Sequence, residues 1–224
     1  MKKKSFYIAP RLGGISERIA KKIRKEIFFK VMNIIKPKES HKVLDIGATS
    51  DRSIDSNFFE EFYPFKNQIT VIGKEDASFL EKKYPGLKFI FGDACELPFG
   101  DDYFDLAFCS AVIEHVGNRN LQLKLITEGI RVAKNLVITT PNRYFPLEFH
   151  TLTPFLHWLP QRVFRFYLKI TFRKFFSKEE NLNLLTAYDL EKMFKSKSLA
   201  FKNIDQKLFG LKSNLVYIVS KNTM

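Results

Sequence analysis

Cysteine is nearly absent from this chain of 224 residues, with Cys95 and Cys109 the two it has. Both stand in or at the end of strand-like runs, so neither a disulfide framework nor a cysteine-based metal site is expected, and a reducing compartment fits. No run of about 18 uninterrupted apolar residues occurs, which argues against a membrane-spanning helix. In the opening MKKKSFYIAPRLGG, Pro10 and Arg11 arrive before any apolar stretch long enough for a secretory signal. Internal repeats and low-complexity tracts are missing as well. The 4 histidines, His41, His115, His150 and His157, show no metal-ligand spacing, so no metal site is expected. The loop VLDIGATSDRS, residues 43–53, carries one of the three glycines of a dinucleotide-binding turn, where helix N–H groups would meet a pyrophosphate.

What is present is apolar and basic. Hydrophobic residues make up 45% of the chain and 24 of its residues are Phe, enough to bury a core, so a disordered chain is excluded. The length suits one domain with extensions. The formal charge of +13 is concentrated in residues 1–42, where Lys2, Lys3, Lys4, Arg11 and the lysines and arginines between 18 and 42 face only Glu17, Glu26 and Glu39. Such a field attracts nucleic acid, anionic lipid or a phosphorylated substrate without choosing among them. A cytoplasmic location is expected, with peripheral membrane contact left open.

Apolar residues recur at helical spacing from Ile15 to Ile35, which predicts a basic amphipathic helix in a leading region, 1–41. From 42 onward, strand-like runs (KVLDIG, QITVIG, LKFIF, FDLAFCS, NLVITT) alternate with helical ones (NFFEEFY, ASFLEKKY, LQLKLITEGIRVA). That alternation predicts right-handed crossovers and a mostly parallel α/β sandwich, one domain over 42–224. Residues 141–195 break the pattern with Pro and aromatics, reading as a cap followed by helices. Residues 199–220, with Gly210 between two strand-like runs, predict a C-terminal antiparallel hairpin.

Open parallel sheets bind ligands beyond the carboxyl ends of their strands. Asp45 and Gly47 end the first strand-like run, Glu75 and Asp76 follow the second, Asp93 the third, and Ser110, Glu114 and His115 the fourth. A carboxylate after the second strand can accept both hydroxyls of a ribose, and one after the third can accept from an adenine amino group. A ring of acids repels phosphate and suits an adenosine that carries a positive sulfonium. Taken singly, each acid has a structural reading as a helix cap or a turn residue.

VLDIG, VIGKED, FIFGDACELPFGDDYFDLAFCSAVIEHV and LVITTPNRY together resemble the class I S-adenosylmethionine-dependent methyltransferases, in particular the type 11 group, over about Val43 to Thr140. TTPNRYFPLEFHTLTPFLHWLP is similar to a bacterial subgroup with a reduced glycine loop and extends the resemblance to Pro160. The resemblance implies a Rossmann-like methyltransferase sandwich and S-adenosylmethionine as cofactor. Asp45 and Gly47 would then shape the methionine-end loop, Glu75 would hold the ribose, Asp93 with the Ala94 backbone the adenine, and Ser110 would lie beside the methionine moiety. Thr49 and Asp51 stand where family members carry Gly, and Asp51 is a candidate partner for the cofactor's ammonium.

Methyl transfer to oxygen or nitrogen benefits from a base of near-neutral pKa. His115, next to Glu114, is placed for that role, and His150 could reach it from the cap; the structural reading is that all three satisfy local backbone groups. His157 and Trp158 are expected to pack the cap. The segment after the fourth strand, CSAVIEH, lacks the Asn- or Asp-Pro-Pro-aromatic motif common in nucleic-acid amino methyltransferases. In QRVFRFYLKITFRKFF, Arg162, Arg165, Lys169 and Arg173 share a face, with apolar residues over the remainder, so the helix either lies in a membrane interface or packs on the domain. The expected acceptor is a small molecule or a lipid-linked or glycan precursor, with nucleic acid less favoured and the oligomeric state not readable. The alternatives are a catalytically inactive binding module, which predicts a sealed pocket behind Thr49 and Asp51, and an RNA-binding protein using the basic helices.

Overall fold

A computed structural model describes residues 14–52 and 57–221; Lys2, Lys3, Lys4 and Arg11 of the basic leader lie outside the described residues. VLDI, ITVIG, KFIF, FDLAFCS and AKNLVITTP form β1 (Val43–Ile46), β2 (Ile69–Gly73), β3 (Lys88–Phe91), β4 (Phe104–Ser110) and β5 (Ala133–Pro141), all mutually parallel. The central strands are apolar on both faces because both are covered, as parallel sheets require. Leu44 and Ile46 turn into one core with Ala107, Leu125 and Leu136, while Val43 and Val71 join a second with Phe59 and Phe108.

The first helix, α1 (Gly14–Ile35), matches the predicted periodicity: Ile23, Ile27 and Val31, one turn apart, are buried in that second core. Part of its basic face is tied down within the chain: Lys21 forms an ion pair with Glu61 at 3.2 Å, and Lys30 donates a hydrogen bond to the Gln206 carboxamide oxygen at 2.5 Å. The short α2 (Phe58–Phe62) and α3 (Phe79–Lys83) cross over between β1, β2 and β3. The longer α4 (Arg119–Val132) starts where the Asn118 carboxamide accepts from the N–H groups of Asn120 and Leu121 at 3.0 and 3.1 Å, satisfying two otherwise orphaned donors.

The cap contains a small antiparallel pair, β6 (Leu147–Glu148) with β7 (Thr153–Pro154), then α5 (Gln161–Ile170). Phe164 and Leu168 of α5 bury against Phe176, Leu182 and Leu184 in a satellite core. A Thr186–Asp189 capping box opens α6 (Ala187–Ser196). Finally β8 (Leu199–Asn203), β9 (Gln206–Leu208) and β10 (Leu211–Lys221) close the sheet. The turn at Phe209–Gly210 joins β9 to β10, and β10 runs antiparallel between β5 and β8. The order is β3-β2-β1-β4-β5-β10-β8, with β9 also paired to β10. Chain direction across the sheet reverses between β1 and β4, which is where a ligand crevice opens in this class of sheet.

Candidate active site

A cleft of about 420 Å³ lies at that reversal, bordered by Gly47, Ala48, Thr49, Gly73, Glu75, Ala94, Val112, His115 and Asn181 among others. Its shape depends on missing side chains. Gly47 has φ +109°, and a Cβ there would stand 2.1 Å from Val112 Cγ2. A Cβ at Gly73 would fall 2.3 Å from the Ala48 carbonyl oxygen, so β2 must end in glycine for the loop after β1 to cross it. Ala111, next to the cleft, sits at φ 55°, a strained conformation for a residue with a Cβ.

Thr49 and Ser50 explain the reduced glycine loop. The Thr49 hydroxyl, the Ser50 N–H and the Ser50 hydroxyl all donate to Glu75 Oε2, at 3.0, 2.9 and 2.8 Å. Asn57 ties the same loop through the Thr49 and Asp51 carbonyls. The side chains that depart from the glycine pattern therefore orient the acid at the cleft wall, and the cleft is not sealed.

The remaining expected cofactor residues divide. Gly47, Glu75 and Ala94 border the cleft; Asp45, Asp51, Asp93 and Ser110 do not. Asp45 is buried on the α2 side against Glu60, and burial first, then the Glu60 charge, push its pKa well above the ordinary range. Asp51 is held in the loop by its backbone, its N–H donating to Thr49 Oγ1 at 3.1 Å. Asp93 accepts from the Cys95 N–H at 2.9 Å and pairs with Lys74 at 2.9 Å; partial burial works the other way, but these partners hold its carboxylate below the usual range. That pairing also balances the lysine on the cleft wall. Ser110 ends β4, half-buried.

Beyond β4 and β5, the fold brings His115, Glu114 and His150 together. His115 Nδ1 donates to the Asn181 carbonyl at 2.7 Å, and its Nε2 meets His150 Nε2 at 3.1 Å. His150 Nδ1 contacts Glu148 Oε1 at 2.7 Å, and Glu148 also receives the His150 N–H and the Thr151 N–H and hydroxyl. Burial alone would raise the Glu148 pKa; the His150 charge and these donors outweigh it and hold it at about 2. On His150, burial is likewise outweighed by Glu148, which raises its pKa. His115 is driven the other way, to about 3, by burial and then by His150. So His115 is neutral at physiological pH, with both ring nitrogens engaged, rather than a free base near neutrality. Glu114 is fully buried, which raises its pKa; Oε2 accepts from the Thr140 hydroxyl at 2.9 Å and Oε1 has no hydrogen-bond partner among the described residues. One ligand atom from each of Glu114, His115 and His150 lies within 4.8 Å of the others, a grouping that linear spacing hides. His157 packs the cap as expected, its Nε2 bonded to the Phe145 carbonyl at 2.8 Å, whereas Trp158, expected to pack there too, is exposed.

Gly73, Glu148, Asn181 and the Thr49–Ser50 clamp were not foreseen as site residues. A glycine ending a strand was the one readable signal among them.

S-adenosylmethionine fits this geometry. Ile72, Ala94, Val112 and Val116 offer apolar walls to a base, and Glu75 offers a pre-oriented carboxylate to paired hydroxyls.

Comparison with known proteins agrees. Residues 64–136 match the family model described as a methyltransferase domain. No curated protein sequence matches the chain. Among solved structures it is similar to YcgJ of Bacillus subtilis at 16% identity, covering 89% of this chain and 100% of that one, with a TM-score of 0.60. A S-adenosylmethionine-dependent methyltransferase of Methanosarcina mazei gives 19% identity, 85% and 96% coverage and a TM-score of 0.55. The magnesium protoporphyrin IX methyltransferase of Synechocystis with bound SAH gives 11%, 97%, 91% and 0.61.

Proposed function

We propose that this chain, whose domain and fold are those of the S-adenosylmethionine-dependent methyltransferases, methylates an amphiphilic, lipid-linked acceptor presented at a membrane surface. The cofactor half of the reading is supported by the open cleft with Glu75 clamped at its wall. Bound there, S-adenosylmethionine supplies an electrophilic methyl group on a sulfonium. Glu75 would accept the ribose hydroxyls, the Ala94 backbone would meet the adenine, and Gly47 and Gly73 let the main chain approach closely. His115 borders the same cleft with both ring nitrogens engaged, by the Asn181 carbonyl and by His150. In an in-line displacement with so good a leaving group, placement of the two reactants supplies most of the acceleration.

The acceptor half rests on one observation. On α5, Val163, Phe166 and Ile170 are 49%, 65% and 68% exposed, and Phe172 just beyond is 89% exposed, while Arg162 and Lys169 stand beside them in solvent. Trp158 adds an exposed ring. The buried face of the helix already packs on the cap, so this second, outward apolar face with basic flanks suits the interface of an anionic membrane. No helix among the described residues is long and apolar enough to cross a membrane. Co-sedimentation with vesicles, with and without anionic lipid, tests the reading, followed by transfer of labelled methyl groups into lipid extracts. Binding and label in the lipid phase are expected; label only in water-soluble products would assign a small-molecule acceptor instead.

A further inference from the structure

We propose that Glu114, His115 and His150 form a binding site for one divalent transition-metal ion beside the cleft, whose wall His115 lines. The argument begins with the proton positions that the neighbours impose. A carbonyl oxygen can only accept, so the 2.7 Å contact from Asn181 fixes the proton of His115 on Nδ1. The Glu148 carboxylate, 2.7 Å from Nδ1 of His150, fixes a proton there too. With both rings neutral, two Nε2 lone pairs face each other across 3.1 Å. That arrangement is repulsive unless a cation stands between or beside them, and the cation is either an extra proton on His150 or a metal ion.

Three features select the metal. First, for bonds of about 2.05 Å, nitrogens 3.1 Å apart subtend an angle of roughly 100° at a shared ion, between octahedral and tetrahedral values. Second, Glu114 brings a third ligand atom within 4.8 Å of the other two, and its fully buried carboxyl has one oxygen without a hydrogen-bond partner among the described residues. An extra proton between the imidazoles would leave that oxygen unsatisfied. Third, each imidazole is backed by an acceptor on its far nitrogen, Glu148 for one and the Asn181 carbonyl for the other, the outer support that orients metal-bound histidines. Two imidazoles and one carboxylate suit zinc, iron(II), cobalt(II) or manganese(II), with positions left for an exchangeable ligand.

Taken with the proposed methyl transfer, on which this part rests, the ion selects an oxygen acceptor. A hydroxyl bound to it releases its proton to water more readily. The oxygen then forms the bond to the methyl carbon as the carbon–sulfur bond breaks, its electron pair passing to sulfur. This supplies the activation that His115, with both ring nitrogens engaged, does not.

The test uses tag-free protein, stripped with chelator and titrated calorimetrically with zinc and manganese(II) chlorides. The expected result is one ion per chain, bound at least 100-fold more weakly by His150→Ala and by Glu114→Gln, about tenfold more weakly by Glu148→Gln, and unchanged by His41→Ala. Because the buried variants could unfold, the wild-type protein is also followed by imidazole nitrogen NMR, where both Nε2 signals should move together on adding zinc. No uptake by folded wild-type protein, or uptake that His150→Ala and Glu114→Gln leave intact, overturns the proposal. So does a persistent Nε2–H between the two rings in excess metal. Metal uptake is read without S-adenosylmethionine, so its failure is distinct from failure of the methyltransferase reading.

Discussion

Behind β1, Asp45 and Glu60 are buried together, and neither Glu60 oxygen has a hydrogen-bond partner among the described residues. Beyond β5, Glu148 is just as buried, 3% exposed, yet four donors from His150 and Thr151 converge on it. The outcomes are opposite: burial raises the pKa of both Asp45 and Glu60, while Glu148 is held at about 2. Burial alone therefore does not mark a site in this molecule. What separates the two clusters is directed partners, and the cluster that has them also touches the cleft through His115.

The contrast can be broken most severely at His150. His150→Ala leaves the Glu148 carboxylate buried without its imidazole, and a loss of about 3–5 kcal/mol is expected by chemical denaturation. Glu60→Gln should have the opposite sign.

Glu75→Gln removes the charge that the Thr49–Ser50 clamp presents to the cleft. A loss of about 1.5–3 kcal/mol in cofactor affinity, a factor of roughly 10 to 100, is expected by calorimetry. Stability should change little.

The pH dependence sharpens the comparison. Glu148 ordinarily titrates near 4.5 and is held at about 2, so its contribution is full above 4.5 and lost as pH falls toward 2. Asp45 and Glu60 are raised, so they contribute stability below their ordinary values of 3.8 and 4.5 and lose it as pH rises through their folded values. Thermal melts across pH should show Glu148→Gln flattening the acid limb. Glu60→Gln should gain on the wild type as pH rises, by about 1 kcal/mol or more.

The smallest stability effect is expected on the cap. Phe166→Asp with Ile170→Asp should stay within about 0.5 kcal/mol of the wild type while abolishing vesicle binding. A large loss of stability instead would mean that this face packs on the protein.

Much of the fold was legible because it rests on local pattern. The five parallel strands are apolar runs bounded by turn residues, and β10 follows Gly210 as a hairpin strand should. The site was legible where the chain itself supplies neighbours, as with Glu114 beside His115 and Glu75 just after β2. Asp45 carried a signal that was passed over: it alternates with Leu44 and Ile46 along β1, so it points to the opposite face from them, into the core under α2. Glu148 gave no such signal, since its role depends on the cap folding 35 residues of separation into the His115–His150 contact. Thr49 and Ser50 looked like a loss of the glycine loop because their partner, Glu75, is 25 to 26 residues away.

The most direct measurement is calorimetric titration of the ligand-free protein with S-adenosylmethionine and its demethylated product, on the wild type, Glu75→Gln and Glu60→Gln. Micromolar binding to the wild type, weakened at least tenfold by Glu75→Gln and untouched by Glu60→Gln, is the predicted result. Absence of binding to the folded wild type, or binding indifferent to Glu75, would contradict the assignment of the cleft.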